Sequence, residues 1–466
     1  MLTQAGRVIR KSKKETKICD HLYSFDRLYK FWSLAFGLPS EKMWTTTLHS
    51  NNINIQPLLK QLCEPQKHGK ASADEIAAGF SLFFEEDRLS EAQAIEFLTL
   101  LSTTSRDKDA DVIAACAAQM REVALPVNLE HLRTIIEHHG RGQGSYHGGL
   151  CDIVGTGGSQ HQTYNISTTA SLVASSFLLM SKHGNKAQTS VSGAADILAC
   201  IEPTAPNLLA SNHHNLPRIY EKSPYAFLYA PNFHPGMKNA ARVRKQMVTR
   251  TIFNLLGPLA HPIEELVEAR VVGVADTSLG PVFAEALRLS GTNKAPELRK
   301  AMVVAGQEGL DEISCAGVTD CWMVQSTLPD TEELDAGIEH FELQPKDFGF
   351  PTHPLIAIRG GGSPVENAKI LIQLLEGKLK NDDPILQIVL MNAASMLVVS
   401  GLCESETSHM GEGDDGNVIE ERGPGKGRWK EGVRRARYAV ESGAALRSLQ
   451  AFTEVSDELA AKEKGS

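Results

Sequence analysis

Residues 150–168 read LCDIVGTGGSQHQTYNIST, and the way this stretch folds governs the reading of everything around it. LCDIVG is short, apolar and closed by a glycine, the pattern of a strand buried on both faces. Gly155, Gly157 and Gly158 form the turn that leaves it, and a helix, TTASLVASS, is expected from Ser167 or Thr168. Strand, glycine loop and helix start outline an anion site: glycines let backbone N–H groups approach a ligand, and the helix end favours negative charge. The dinucleotide fingerprint needs a glycine where Gln160 stands, and the Gly-Lys-Ser/Thr ending of a P-loop is absent. A tight turn with an ordinary N-cap accounts for the glycines equally well. Thr163, Asn165, Ser167 and Thr168 tilt the balance, because hydroxyls and an amide in a row can hold phosphate or a hydrated metal.

Working outward, LLMSK, YAFLYA, ARVVGVA and KAMVVAG repeat the short apolar pattern between helical stretches. The fold class is therefore α/β: a larger domain over residues 148–456 with a mostly parallel central sheet. Upstream, residues 50–139 carry helical periodicity. Ile55, Leu58, Leu59, Leu62 and Cys63 share one face, and Ser72 with Glu75 and Ser90 with Gln93 have capping-box spacing. A small α-helical bundle domain is expected there. Residues 1–48, basic and then aromatic, read as an N-terminal extension, and the glycine-rich acidic segment 403–430 as an exposed, mobile insertion. VRRARYAVESGAALRSLQAF reads as one amphipathic helix.

Three more stretches carry chemistry. KHGNKAQTSVSG follows the strand LLMSK and supplies Lys182, His183, Asn185 and Ser190; loops at the ends of neighbouring parallel strands converge on one crevice. HPGMKNAARVRKQM reads as a helix whose stripe of Met237, Ala240 and Ala241 extends to Arg244, which either snorkels outward or points at an anion. GLDEIS places Asp311 and Glu312 side by side after a strand, as solvated charges or as oxygen ligands for magnesium. RTIFNLLGPL and RGGGSPVENA read as structural turns.

The 466-residue chain is 42% hydrophobic and 22% charged, the balance of an ordinary soluble globular protein. Acidic residues outnumber Lys plus Arg by 56 to 47, a net charge of −9, so an anionic ligand has to be attracted locally and nucleic acid is disfavoured. The eight cysteines include no C-x-x-C pair, which fits reduced thiols in the cytosol. No apolar run reaches membrane length, since even IVLMNAASMLVVSGL is interrupted by Asn392 and Ser395.

Taken together and in this order, DIVGTGG, TYNIST, KHGN, APNFHPGMK, RTIFNLLGPL, GLDEIS, NAASMLVVSG and AVESGAAL resemble the anthranilate phosphoribosyltransferases over about residues 55–456. The resemblance implies a fold of the nucleoside phosphorylase and phosphoribosyltransferase type. In it the small helical domain is hinged to the α/β domain and completed by helices around 234–256, and the typical assembly is a homodimer. It implies a cytoplasmic pentosyltransferase of tryptophan biosynthesis, which moves phosphoribosyl from phosphoribosyl diphosphate to the amine of anthranilate. Carried over by position, Gly155, Gly158, Ser159, Thr163, Asn165, Ser167, Thr168, Lys182 and Ser190 would hold the sugar diphosphate. Ser167, Asp311 and Glu312 would bind Mg2+, and Gly155, Asn185 and Arg244 would face anthranilate, with no residue assigned as acid or base. Ser159 stands where the family usually has Asp, Ala194 where a Ser is common, and Thr189 is a mild change. A pyrimidine-nucleoside phosphorylase shares the architecture and a similar glycine loop without needing the carboxylate pair. A nucleic-acid-binding relative would need a basic face.

Overall fold

In the computed structural model, residues 54–159, 161–187, 191–247, 249–291, 300–324 and 337–465 are described, and residues 55–466 form one unit. The N-terminal extension 1–48 and Ser190 lie outside the described residues. Among the described residues five helices of nine or more residues come first: α1 (Ile55–Cys63), α2 (Ala73–Ser81), α3 (Glu91–Thr103), α4 (Ala110–Glu122) and α5 (Leu129–His139). Both capping boxes form. Ser72 Oγ accepts from the Glu75 amide at 3.1 Å while Glu75 Oε2 accepts from the Ser72 amide at 2.8 Å, and Ser90 and Gln93 repeat the exchange at 3.3 and 3.0 Å. The α1 stripe is buried at Ile55, Leu58, Leu59 and Leu62, but Cys63 is exposed at the helix end.

Seven strands form one sheet in the order β3-β2-β1-β4-β5-β6-β7. They are β1 (Leu150–Gly155), β2 (Leu179–Gly184), β3 (Tyr225–Tyr229), β4 (Val267–Gly273), β5 (Lys300–Gly306), β6 (Thr319–Val324) and β7 (Ile338–Leu343). The first five run parallel, and β6 and β7 add an antiparallel edge that the apolar-run pattern does not reveal. Their side chains are only partly buried: β6 opens on polar Thr319 and Asp320, and β7 is broken by Glu339, His340 and Glu342. The strand order reverses at β1 and β4, whose last residues, Gly155 and Gly273, are register partners. That reversal opens a crevice beyond the carboxyl ends of the two strands.

Further helices complete the frame. α6 (Ile166–Ala174) begins one residue earlier than expected, and α7 (Met237–Gln246) and α8 (Phe253–Leu256) follow β3. α9 (Gly280–Gly291) follows β4, and α10 (Pro364–Leu375), α11 (Pro384–Ser400), α12 (Trp429–Glu441) and α13 (Ala444–Gly465) come last. The single helix expected over VRRARYAVESGAALRSLQAF is two, broken at Gly443, whose φ of 72° is left-handed.

Two cores organise these elements. One joins α1–α4 to Ala240 and Val243 of α7, to Ile252, Phe253 and Leu256, and to the sheet face bearing Val272 and Val303. Phe253 docks there by ring contacts with Phe80 at 4.8 Å and Phe83 at 5.4 Å, worth roughly 0.5–1.5 kcal/mol per pair beyond burial. Leu132, Ile135 and Ile136 of α5 belong instead to the second core, with α6, α11 and the other sheet face, so α5 does not pack with the bundle to which its sequence position assigned it. An amphipathic stripe announces a buried face without naming the surface that covers it. The 403–430 segment is exposed over much of its length yet tied down: buried Glu431 pairs with Arg435 at 2.6 Å and Arg434 at 2.8 Å, and Arg434 reaches Asp414 at 3.0 Å.

Candidate active site

The crevice beyond β1 and β4 is filled from below by the turn that follows β5. A Cβ added at Gly273 would lie 1.6 Å from the Asp311 carbonyl oxygen, and one at Gly155 would lie 2.6 Å from Asp311 Oδ2. Both strands therefore end in glycine because Asp311 crosses their tips, its backbone over Gly273 and its carboxylate over Gly155. Asn392, which the sequence reading used only as an interruption in an apolar run, fixes that backbone. Its Oδ1 accepts from the Ile313 amide at 3.0 Å, and its Nδ2 donates to the Ile313 carbonyl at 3.1 Å. Since α11 is buried almost throughout, Asp311 and Glu312 are held by the core.

Asp311 Oδ2 accepts from the Gly157 amide at 2.8 Å, and Glu312 Oε1 from the Ser167 amide at 3.3 Å, at the start of α6. The glycine loop and the helix start thus meet both carboxylates. Burial raises the pKa of Asp311, against the loop amides of Gly157 and Gly158 and the charge of Arg250. Glu312 is pushed well above the carboxylate range by burial and then by its neighbour Asp311. Lys182, buried on β2, is pulled below the usual lysine value by burial while Asp152, Glu312 and Asp311 oppose that shift. His183, the next residue, packs against His234 and His261 at centroid distances of 5.5 and 5.7 Å. Burial holds all three imidazoles neutral, that of His234 with a pKa of about 4.

The remaining expected residues fall around this centre. Ser159 Oγ accepts from the His161 amide at 3.1 Å, Thr163 bridges to Arg359, and Thr168 is buried on α6. Asn165 donates to the Ser192 carbonyl at 3.0 Å and accepts from Asn367 Nδ2 at 2.9 Å, while Asn367 Oδ1 takes the Gly361 amide at 2.6 Å. RGGGSPVENA, read as a structural turn, is therefore the partner of TYNIST, and Asn367 is a positioning residue that its sequence context does not announce. Asn185 is exposed after β2, its Oδ1 accepting from the Lys186 amide at 2.8 Å. Arg244 is half-buried with its guanidinium 5.3 Å from the Phe253 ring centroid.

Two adjacent carboxylates with raised pKa values, Asp311 buried and Glu312 partly buried, form a site that a cation relieves. Among the described residues no group of three or more His, Cys, Asp or Glu could hold a metal ion by itself. Such a site suits an ion that completes its shell with substrate oxygens and water, as magnesium does.

The glycosyl transferase family a/b domain matches residues 147–446, nearly two thirds of the chain. Over 373 residues the chain is 35% identical to an anthranilate phosphoribosyltransferase of Schizosaccharomyces pombe, covering 80% of this chain and 89% of that protein. The chain belongs to the anthranilate phosphoribosyltransferase family. Its fold matches the Saccharomyces cerevisiae family member solved in complex with PRPP and Mg, with a TM-score of 0.68 and 29% identity, covering 87% of this chain and 99% of that one. The same yeast enzyme in complex with 4-fluoroanthranilate matches with a TM-score of 0.67 and 28% identity, covering 88% of this chain and all of that one. The family pattern extends over both cores, because the shared fold spans the helical elements as well as the sheet.

Proposed function

We propose that this chain transfers the phosphoribosyl group of phosphoribosyl diphosphate to the amine of anthranilate, releasing diphosphate. The single observation that carries the reading is the Asp311 and Glu312 pair seated against the glycine loop and the α6 start, with the buried Lys182 charge acting on both. The yeast relatives solved with PRPP and Mg and with an anthranilate analogue supply the substrate classes. Asp311 and Glu312, with Ser167 beside them, would hold Mg2+, which when bound would neutralise charge on the diphosphate. Gly155, Gly158, Ser159, Thr163, Asn165, Ser167, Thr168, Lys182 and Ser190 would line the donor site, and Gly155, Asn185 and Arg244 the anthranilate site.

As the bond to the anomeric carbon breaks, positive charge builds on the sugar and negative charge on the leaving group, by analogy with glycoside cleavage. Lys182 and the loop amides favour that separation because they are oriented before it occurs. No side chain need attack the sugar, since the arylamine is the nucleophile and is only weakly basic. Arg244 and Asn185 would orient it. Closure of the α1–α4 bundle, with α7 and α8, over the sheet would exclude water, which otherwise hydrolyses the activated sugar. A cytoplasmic homodimer belongs to the same reading. The test follows the loss of anthranilate fluorescence with purified protein, omitting phosphoribosyl diphosphate, Mg2+ and anthranilate in turn. Loss should require all three together, and turnover of thymidine with phosphate in place of this reaction would overturn the proposal.

A further inference from the structure

Arg250 has no part in the chemistry described so far. It lies in the connection between α7 and α8, exposed to solvent, and among the described residues it makes no hydrogen bond or ion pair at bonding distance. The two residues after it are fixed. The Thr251 amide donates to Asn254 Oδ1 at 3.0 Å, and Ile252 is buried in the core that holds the helical bundle. From this base the guanidinium reaches across to the sheet side: a methyl group built on Gly158 would lie 3.4 Å from Arg250 Nη2. Its charge acts on Asp311, which is itself seated on the Gly157 amide at 2.8 Å. The loop thus already holds an anion, a carboxylate supplied by the protein, on a main-chain N–H within the field of an arginine. The two parallel N–H groups of a guanidinium match a pair of phosphate oxygens, so with the loop amides they make a donor set that a diphosphate can use.

We propose that Arg250 is a further donor-binding residue, which takes the diphosphate of the sugar donor at the glycine loop when the Asp311 carboxylate leaves the Gly157 amide. The inference rests on the donor reading above. It also gives the loop a job that depends on both cores, since the diphosphate would be gripped from the sheet by Gly157 and Gly158 and from the bundle side by Arg250.

The experiment measures calorimetric binding of inorganic diphosphate and of phosphoribosyl diphosphate, each with Mg2+, to wild-type protein, Arg250→Ala and Arg250→Lys, alongside steady-state KM values and melting temperatures. Arg250→Ala is expected to weaken both ligands by roughly ten- to a hundred-fold, the range for hydrogen bonds to charged groups. Lysine should restore part of the loss because it keeps charge without the paired N–H geometry. The KM for anthranilate and the melting temperature should stay at their wild-type values, since an exposed, unpartnered side chain contributes little to stability. Wild type and Arg250→Ala binding both ligands equally would sink this inference and leave the donor reading intact. Wild-type protein that binds neither ligand would sink both.

Discussion

The two ends of the parallel sheet treat buried charge in opposite ways. At the amino ends of β4 and β5, Glu268 is almost fully buried, and its carboxylate takes the Gly149 amide at 2.9 Å, the His147 amide at 3.0 Å and Lys300 Nζ at 3.0 Å. Lys300 in turn donates to the Ser400 carbonyl at 2.7 Å, so the linker before β1, the sheet and the end of α11 are tied in one knot. At the carboxyl ends, Asp311 and Glu312 share two main-chain amides and one buried lysine, and both stay harder to ionise than ordinary carboxylates. One end is closed by its own cation, and the other is short of positive charge. A buried carboxylate without a close counter-ion costs stability, and such a cost persists where a ligand later supplies the missing charge.

The contrast predicts opposite outcomes for similar substitutions. The largest effect is expected from Glu312→Gln, which should lower turnover by about two to three orders of magnitude, the range seen when a group stabilising developing charge is removed. The same change should raise the melting temperature of metal-free protein at neutral pH. Because the folded pKa of Glu312 is raised, its burial penalty is full above the folded value and fades as pH falls from there toward the unfolded carboxylate value. The gain over wild type should therefore shrink in acid. Thermal melts with and without Mg2+, at pH 7.5 and about pH 5, read this out, and a variant less stable than wild type without metal would break the contrast. Glu268→Gln should do the reverse. It leaves Lys300 without its carboxylate and should cost roughly 1.5–3 kcal/mol in urea melts, while turnover at room temperature is retained.

Legibility in the sequence follows the same division. The five parallel strands, both capping boxes and the residues of the glycine loop were readable, because each is a local pattern whose physics does not depend on distant partners. The antiparallel edge was not readable, since a partly buried strand such as IEHFEL shows neither a continuous apolar run nor strict alternation. The allocation of α5 to its core was likewise hidden, because its stripe of Leu132, Ile135 and Ile136 fits any apolar surface. Within the site, the motifs pointed to the carboxylates, the lysine and the hydroxyl row. The residues that hold them were missed: Asn392 inside an apolar helix and Asn367 after a run of glycines acquire meaning only when the chain brings remote segments together. A polar residue isolated in an otherwise apolar run was the one available signal, and at Asn392 it marked a buried clamp on the backbone beside Glu312.

A smaller and more diagnostic effect comes from the imidazoles beside Lys182. His234 faces His183 directly, and His183 also faces His261, so protonation of one meets its neighbours as well as the dry surroundings. The folded pKa of His234 is lowered to about 4, chiefly by burial, against about 6.5 for an unhindered histidine. For a base held neutral, nothing is lost above the unfolded value. As pH falls from about 6.5 the unfolded chain gains a proton that the fold refuses, and stability drains away until the folded value is reached. At pH 5 the drain from this one residue is on the order of 2 kcal/mol, at about 1.4 kcal/mol per unit. His234→Asn should therefore lose less stability between pH 7 and pH 5 than wild type by about that amount in urea unfolding, whatever it costs at pH 7. Parallel losses in the two proteins would mean that His234 accepts its proton in the fold. The carboxyl end of the sheet would then be better supplied with polar partners than its comparison with the Glu268 knot implies.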